Sequence, residues 1–414
     1  MNPDFLVWAQ KPKTNALASL YYRLEVPLRA LQESNRAVCM YDEILDKETS
    51  AQMMLGADID VFWSISGDER VDQVRELKML RALQKEDGSY YIPPSIIYDC
   101  DDNHDYAHPF NSVYCSSGVR NYPDGEFLTE GDTLHFVDPE NKKEILWQDK
   151  VTRYGGVYFD IKRNLQTMNS RHKIIRAVDG VTVPVPALAQ YIKEVIGQTN
   201  VHIFPNTILI EDYISYPLLP RTDGTVRVVW QGGSSHYTDW YPLRGAMIEI
   251  LNKYPQVKII LFGEIFDWIS DIVPREQLEV VKWVDHSAYK LRRGLLQADI
   301  NLCPLTDNPF NRCKSAIKWY EGSVWDKPET TLAANVSPYK DEMVDNETGL
   351  LYNTPEEFVQ KLGLLIEDAQ LRARLGVAAK KWIMQNRTPE TTIPGLFDFY
   401  LDCRARKQRE ILMR

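Results

Sequence analysis

The 414-residue chain has no run of about eighteen apolar residues, the length that crosses a bilayer as a helix, so no membrane-spanning segment is expected. It also lacks clustered cysteine. The six thiols (Cys39, Cys100, Cys115, Cys303, Cys313 and Cys403) form no C-x-x-C pair and no zinc-ligand spacing. Scattered reduced thiols suit a cytoplasmic protein. Met1-Asn2-Pro3-Asp4-Phe5 is not a basic segment leading into an apolar run, so no secretory signal is expected. Positive charge is in deficit: 48 Lys and Arg stand against 58 Asp and Glu, a net charge of −10. That balance argues against broad binding of a nucleic-acid duplex, which draws on clustered cations. Two basic patches remain, Arg171, Lys173 and Arg176, then Arg404, Arg406, Lys407 and Arg409. Solvated helix faces are the simpler account of both.

What is present is an ordinary globular composition, with 44% apolar and 26% charged residues, and a length that suits two domains. Short apolar runs alternate with helical spacings. Strands are expected at Phe5–Ala9, Ala37–Tyr41, Val61–Ile65 and Ile96–Tyr98, with helices from Ala16 to about Glu33 and from Val71 to Gln84. Further strands are expected at 177–183 and 201–204, around a helix that starts at Pro186. A second series runs through 226–230, 258–262, 280–284 and 299–302, after a Pro- and Gly-bearing linker at 212–224. Strands alternating with helices predict parallel sheets covered on both faces. Residues from about 110 to 165, rich in Tyr, Gly, Asp and Asn, break the rhythm and read as a β-rich insertion. The fold class expected is α/β, with two doubly wound Rossmann-like domains facing a cleft. The first spans 1–215, the second 225–392, and 393–414 closes the chain as helix.

Three motifs carry chemistry. Trp230-Gln231-Gly232-Gly233-Ser234-Ser235-His236 follows a strand, and its glycines let backbone N–H groups approach a diphosphate. Asn311-Arg312-Cys313-Lys314-Ser315-Ala316-Ile317-Lys318-Trp319-Tyr320-Glu321 follows the turn 304–309. On a helix, Lys314, Lys318 and Glu321 fall at i, i+4 and i+7, so one stripe offers two cations for a diphosphate and a carboxylate for ribose hydroxyls. Asp99-Cys100-Asp101-Asp102-Asn103-His104 ends a strand of the first half. An acceptor-side or capping role is favoured there over a metal site, with Asp102 or His104 orienting an acceptor.

Together these segments resemble the family-four retaining glycosyltransferases, in particular a branch found in bacteriophage genomes. The likeness rests on Val181–Leu188, Pro205-Asn206, Val229–His236 with Asp239, Pro304-Leu305, Asn308–Asn311, Lys314-Ser315, Lys318, Glu321, Pro338-Tyr339 and Gly349–Tyr352. The acidic turn Tyr98–Asp102 is similar to that of the phage branch. The resemblance implies the two-domain GT-B fold, transfer with retention and no metal or other cofactor. It implies a nucleoside-diphosphate sugar as donor, a UDP-sugar being favoured. It puts Glu321 on the donor ribose, and Lys314 with the Gly232-Gly233 loop on the diphosphate, with Ser234, His236 and Ser315 beside them. Asn308, Phe310 and Asn311 fall to the sugar. The final helix crosses back to the first domain in such proteins. One departure is plain: the family's first glutamate lies eight residues before the second, where this chain has Cys313. After the donor helix, Pro328-Glu329-Thr330-Thr331 stands where an apolar strand is usual. The acceptor stays open between a hydroxymethylated DNA base, a protein and a glycan, as does the oligomeric state. A catalytically weak nucleotide-sugar-binding or scaffolding module, and a phosphorylase or epimerase of the same fold, are the alternatives.

Overall fold

A computed structural model of the chain describes residues 5–10, 18–41, 47–88, 90–120, 126–130, 133–138, 142–154, 156–213, 221–263, 268–284 and 286–413. Contacts divide it into two compact units. One comprises Met1–Asp102, Lys162–Ile208 and Arg387–Arg414; the other comprises Asn103–Ile161 and Leu209–Asn386.

The first unit is built on six parallel strands in the spatial order Val201–Ile203, Gly180–Val183, Ser95–Asp99, Ile59–Trp63, Leu6–Gln10, Val38–Tyr41. Numbered along the chain this is 2-1-3-4-5-6, one of the two common doubly wound orders. Strands buried on both faces read as continuous apolar runs. Ile59–Trp63 is buried throughout and breaks that rule only at Asp60. Neither Asp60 oxygen finds a hydrogen bond among the described residues, and burial pushes its pKa well above the usual carboxylate range. Helix Pro389–Leu412 supplies Ile393, Leu396, Phe397, Phe399 and Tyr400 to the core that holds Val7, Val61 and Ile97. Gly180 lets it come close, since a Cβ there would lie 2.6 Å from the Phe399 ring. The closing helix, expected from residue 393, thus begins at Pro389 and carries Pro394 inside it.

Other boundaries differ for local reasons. The helix expected over Val71–Gln84 runs Asp68–Met79, because Leu80 turns extended and Leu83–Gln84 pairs with Tyr90–Tyr91. The segment from Ala18 to Glu33 is helical with a π turn at Tyr21–Glu25. Of the expected linker, residues 214–220 lie outside the described residues. The basic tail is solvated only in part: Arg406 and Arg409 are exposed, whereas Arg404 pairs with Asp58 at 3.0 Å and buried Lys407 with Asp179 at 3.4 Å.

The second unit carries six parallel strands in the order Leu278–Val281, Val257–Gly263, Val226–Gly232, Ile300–Cys303, Thr330–Ala334, Leu350–Tyr352. Along the chain this is 3-2-1-4-5-6, the dinucleotide-fold order. Thr330 and Thr331 begin a fully buried strand, so the polar start at 328–331 did not abolish the sheet position. Residues 103–161, expected within the first domain, pack with this unit. Asn103 reaches Cys313, Asn111 reaches Thr238, and the Lys143 ammonium lies over the Tyr241 ring. The segment has its own small core of Tyr114, Leu134, Trp147 and Phe159. Three antiparallel strands cover it, Glu126–Glu130, Thr133–Val137 and Glu144–Gln148.

Candidate functional site

In the second sheet the chain reverses its direction of growth between Val226–Gly232 and Ile300–Cys303. Loops leaving the carboxyl ends of such neighbours diverge and open a crevice, the usual ligand position in doubly wound sheets. Here those loops are Gly232–His236 and Pro304–Lys314.

Gly232 is needed for closeness. A Cβ on it would sit 2.6 Å from the Trp230 ring, 3.0 Å from the His236 ring and 3.2 Å from the Lys318 ammonium. Gly263, the matching end of the next strand, has φ +113° and would drive a Cβ to 2.6 Å from the Gly232 carbonyl. Ser234 starts a short 3-10 turn, Ser234–His236; its side chain lies outside the described residues.

Behind the loop sits a relay. His236 is buried, its Nδ1 2.6 Å from Asp239 Oδ2 and its Nε2 2.9 Å from Lys318 Nζ. Burial and then the Lys318 charge push the imidazole down to about 4, so it is neutral at physiological pH. Nδ1–H therefore donates to Asp239, and Nε2 accepts from the ammonium. Removal from water also pulls the Lys318 ammonium down to about 8, against the nearby Cys303, and Lys314 adds to the fall. The other Asp239 oxygen accepts from the Thr306 N–H at 2.9 Å and the Asn311 amide at 2.7 Å, locking the relay to the 304–314 loop.

That loop is shaped by its own side chains. Asn308 Oδ1 accepts the Asn311 N–H at 2.8 Å, and a 3-10 turn follows at Asn311–Cys313. Lys314 then runs extended (φ −74°, ψ 159°), and the helix spans only Ile317–Ser323. The predicted stripe is corrected here: Lys318 and Glu321 share a helix, and Lys314 precedes it. The Lys314 ammonium lies 4.5 Å from the centre of the buried Phe310 ring, and Ser315 is half-buried beside it.

Glu321 is 5% exposed and engaged on both oxygens. Oε2 accepts from Gln231 Nε2 at 2.5 Å and the Tyr289 hydroxyl at 3.0 Å; Oε1 accepts from the Tyr213 hydroxyl at 3.4 Å. Gln231 is itself held by Arg293 Nε at 2.7 Å, and Arg293 forms a buried two-pronged pair with Glu329. Sequence reasoning passed over Tyr213, Tyr289 and Arg293. They come from distant segments, and only a contact with Glu321 or Gln231 marks them.

The acidic turn separates into different surroundings. Asp99 is a structural group: Arg23 grips both its oxygens, at 3.0 and 2.6 Å, and the Thr182 hydroxyl donates at 2.6 Å. Asp102 is the last residue of its stretch of the first unit; His104 opens a 3-10 turn, His104–Tyr106, in the second. The carboxyl with the displaced titration is Asp101, raised to about 7 by burial and then by the Asp102 charge. Among the described residues no group of three His, Cys, Asp or Glu side chains is placed to hold a metal ion.

Two doubly wound parallel sheets of this kind, one to each unit, make the GT-B glycosyltransferase fold. Solved structures agree. The chain is similar to sucrose-phosphate synthase from Thermosynechococcus elongatus, at 11% identity over 97% of this chain and 100% of that one, with a TM-score of 0.57. A glycosyltransferase from Rickettsia africae gives 11% identity, 97% and 99% coverage and a TM-score of 0.57. Anabaena HepE in complex with UDP-glucose gives 12% identity, 96% and 99% coverage and a TM-score of 0.57. At such identities the likeness is one of fold. No protein-family model and no curated protein matches the chain.

Proposed function

We propose that the protein is a glycosyltransferase that moves a hexose from a nucleoside-diphosphate sugar, with UDP favoured as the nucleotide, to an acceptor hydroxyl with retention of configuration. The observation that carries this is the Lys318 ammonium, held by neutral His236 against the Gly232 backbone at the sheet's switch point. A partly desolvated cation fixed beside the Gly232-Gly233 turn is preorganised for the charge that develops on a departing diphosphate. Lys314 adds a second cation, and Glu321 is assigned the donor ribose, exchanging the Tyr213 contact for ribose hydroxyls. The bond from the sugar's anomeric carbon to the diphosphate breaks as the acceptor oxygen bonds to that carbon on the same face. The acceptor's proton passes to the departing phosphate oxygen. No protein nucleophile and no metal is assigned a step. Asp102 and His104 are proposed to orient the acceptor, which is a hydroxymethylated DNA base, a protein or a glycan. HepE, whose structure holds UDP-glucose, supports the choice of donor class.

A second reading is supported by Glu321 and Cys313. With three protein donors already on Glu321 and a thiol at 313, the same site serves a binding module with weak turnover. Mass-spectrometric detection of UDP or GDP released from a panel of nucleotide sugars separates the two. Donor-selective release that is lost in Glu321→Ala establishes the transferase. Binding without release in the wild type establishes the module.

A further inference from the structure

Four buried asparagines bond to residues 238–239 and 308–313, where the insertion packs against the loop after Cys303. Asn308 and Asn311 belong to the loop, Asn103 and Asn111 to the insertion, and all four are 0–3% exposed. One half of each carboxamide is engaged. Asn103 Nδ2 donates to Cys313 Sγ at 3.7 Å, and Asn111 Oδ1 accepts from the Thr238 hydroxyl at 3.4 Å. Asn308 Oδ1 accepts the Asn311 N–H at 2.8 Å, and Asn311 Nδ2 donates to Asp239 Oδ1 at 2.7 Å. The other half is not: Asn103 Oδ1, Asn111 Nδ2, Asn308 Nδ2 and Asn311 Oδ1 find no hydrogen bond among the described residues.

Buried polar atoms are nearly always paired, so four orphans around one loop call for a partner that the described residues do not supply. Their chemistry narrows what that partner is. Two are acceptors and two are donors, all uncharged. An apolar ligand would leave them unpaired, and an anionic one would meet the two acceptors unfavourably. A neutral polyol, whose every hydroxyl both donates and accepts, matches the set. The cluster is tied through Asp239 to the His236–Lys318 relay, so it adjoins the proposed diphosphate position.

We propose that the insertion completes the sugar-binding part of the site, with Asn103 and Asn111 bonding hydroxyls of a neutral hexose; this rests on the glycosyltransferase reading above. The insertion thereby sets donor specificity from within the nucleotide-binding unit. It selects glucose-like sugars over the matching uronic acid.

The test is calorimetric titration of the full-length protein with UDP, UDP-glucose, UDP-galactose and UDP-glucuronate, and with GDP and GDP-mannose. In the wild type a neutral sugar nucleotide binds more tightly than its own diphosphate and than UDP-glucuronate. Asn103→Ala and Asn111→Ala each reduce that preference about tenfold, as loss of one good hydrogen bond does, while the diphosphate alone binds as before. Should an alanine variant not fold, Asn103→Asp or Asn111→Asp keeps the shape and is read by the same ratio. Variants that bind sugar nucleotide and diphosphate as the wild type does, or lose both equally, overturn the assignment and leave the transferase reading standing. A wild type that binds no nucleoside diphosphate sinks that reading and this one with it.

Discussion

Each unit gathers polar groups at the carboxyl end of its sheet, and the two gatherings differ in kind. In the first, Arg23 answers both oxygens of Asp99 and also donates to the Phe204 carbonyl and to Asn206, while Thr182 completes the carboxylate. Its charges are neutralised by each other. In the second, Lys318 leans on a neutral imidazole and Lys314 on an aromatic ring, so two cations stand close together with no carboxylate bonded to either among the described residues. A closed cluster serves the fold. An open one holds potential that a ligand discharges, and that difference separates scaffold from site more sharply than burial does.

Breaking the closed cluster should have the largest effect. Arg23→Met leaves Asp99 buried and unpaired, and about 3–5 kcal/mol of stability is expected to go, read from urea unfolding. An unchanged midpoint would show that the cluster does not hold the fold. Lys318→Met should do the reverse. The sheet stays folded, as near-native melting reports, while turnover drops by about 10²–10³, the cost of one preorganised charge. Titration sharpens the contrast. With its ammonium pulled down to about 8, Lys318 is charged below that pH and loses its proton above it, so kcat/KM should fall as pH rises through about 8. A rate that stays flat to pH 9.5 removes Lys318 from the chemistry.

Asp60 is the exception within the first unit, a buried carboxyl with no bonded partner among the described residues and a raised pKa. The folded state binds this proton more tightly than the unfolded state. Its contribution is therefore present below the ordinary carboxylate range and lost as pH rises through the folded value. Asp60→Asn should be more stable than the wild type at pH 7, by at least about 1 kcal/mol, with the gap closing toward pH 4 in melts across pH. Least of all should come from the exposed pair Arg312–Asp307, on the site's own loop. Arg312→Ala is expected to alter stability by no more than about 0.5 kcal/mol.

Both sheets were legible because parallel strands buried on two faces leave apolar runs, as at Ile259–Phe262. The Gly232-Gly233 turn was legible because at Gly232 only glycine tolerates the close approach. Lys314 lies off the helix because the chain turns extended there, between the 3-10 turn Asn311–Cys313 and the helix that begins at Ile317, a break that periodicity does not register. The partners of Glu321 stayed hidden for another reason: Tyr213 lies 108 residues away in the chain, and no local pattern encodes such a meeting. The insertion's polar composition hid a core of four large side chains, too few and too widely spaced to produce a period.

The chain passes between the two units four times, after Asp102, Ile161, Ile208 and Asn386. The second unit is complete once Asn386 has been made. The first is not, for Phe397, Phe399 and Tyr400 still have to arrive against Val7 and Val61. Domains emerging from the ribosome ordinarily fold from the N-terminus onward. Here that order is inverted: the strands synthesised first wait with an apolar face uncovered until Phe397, Phe399 and Tyr400 have been made.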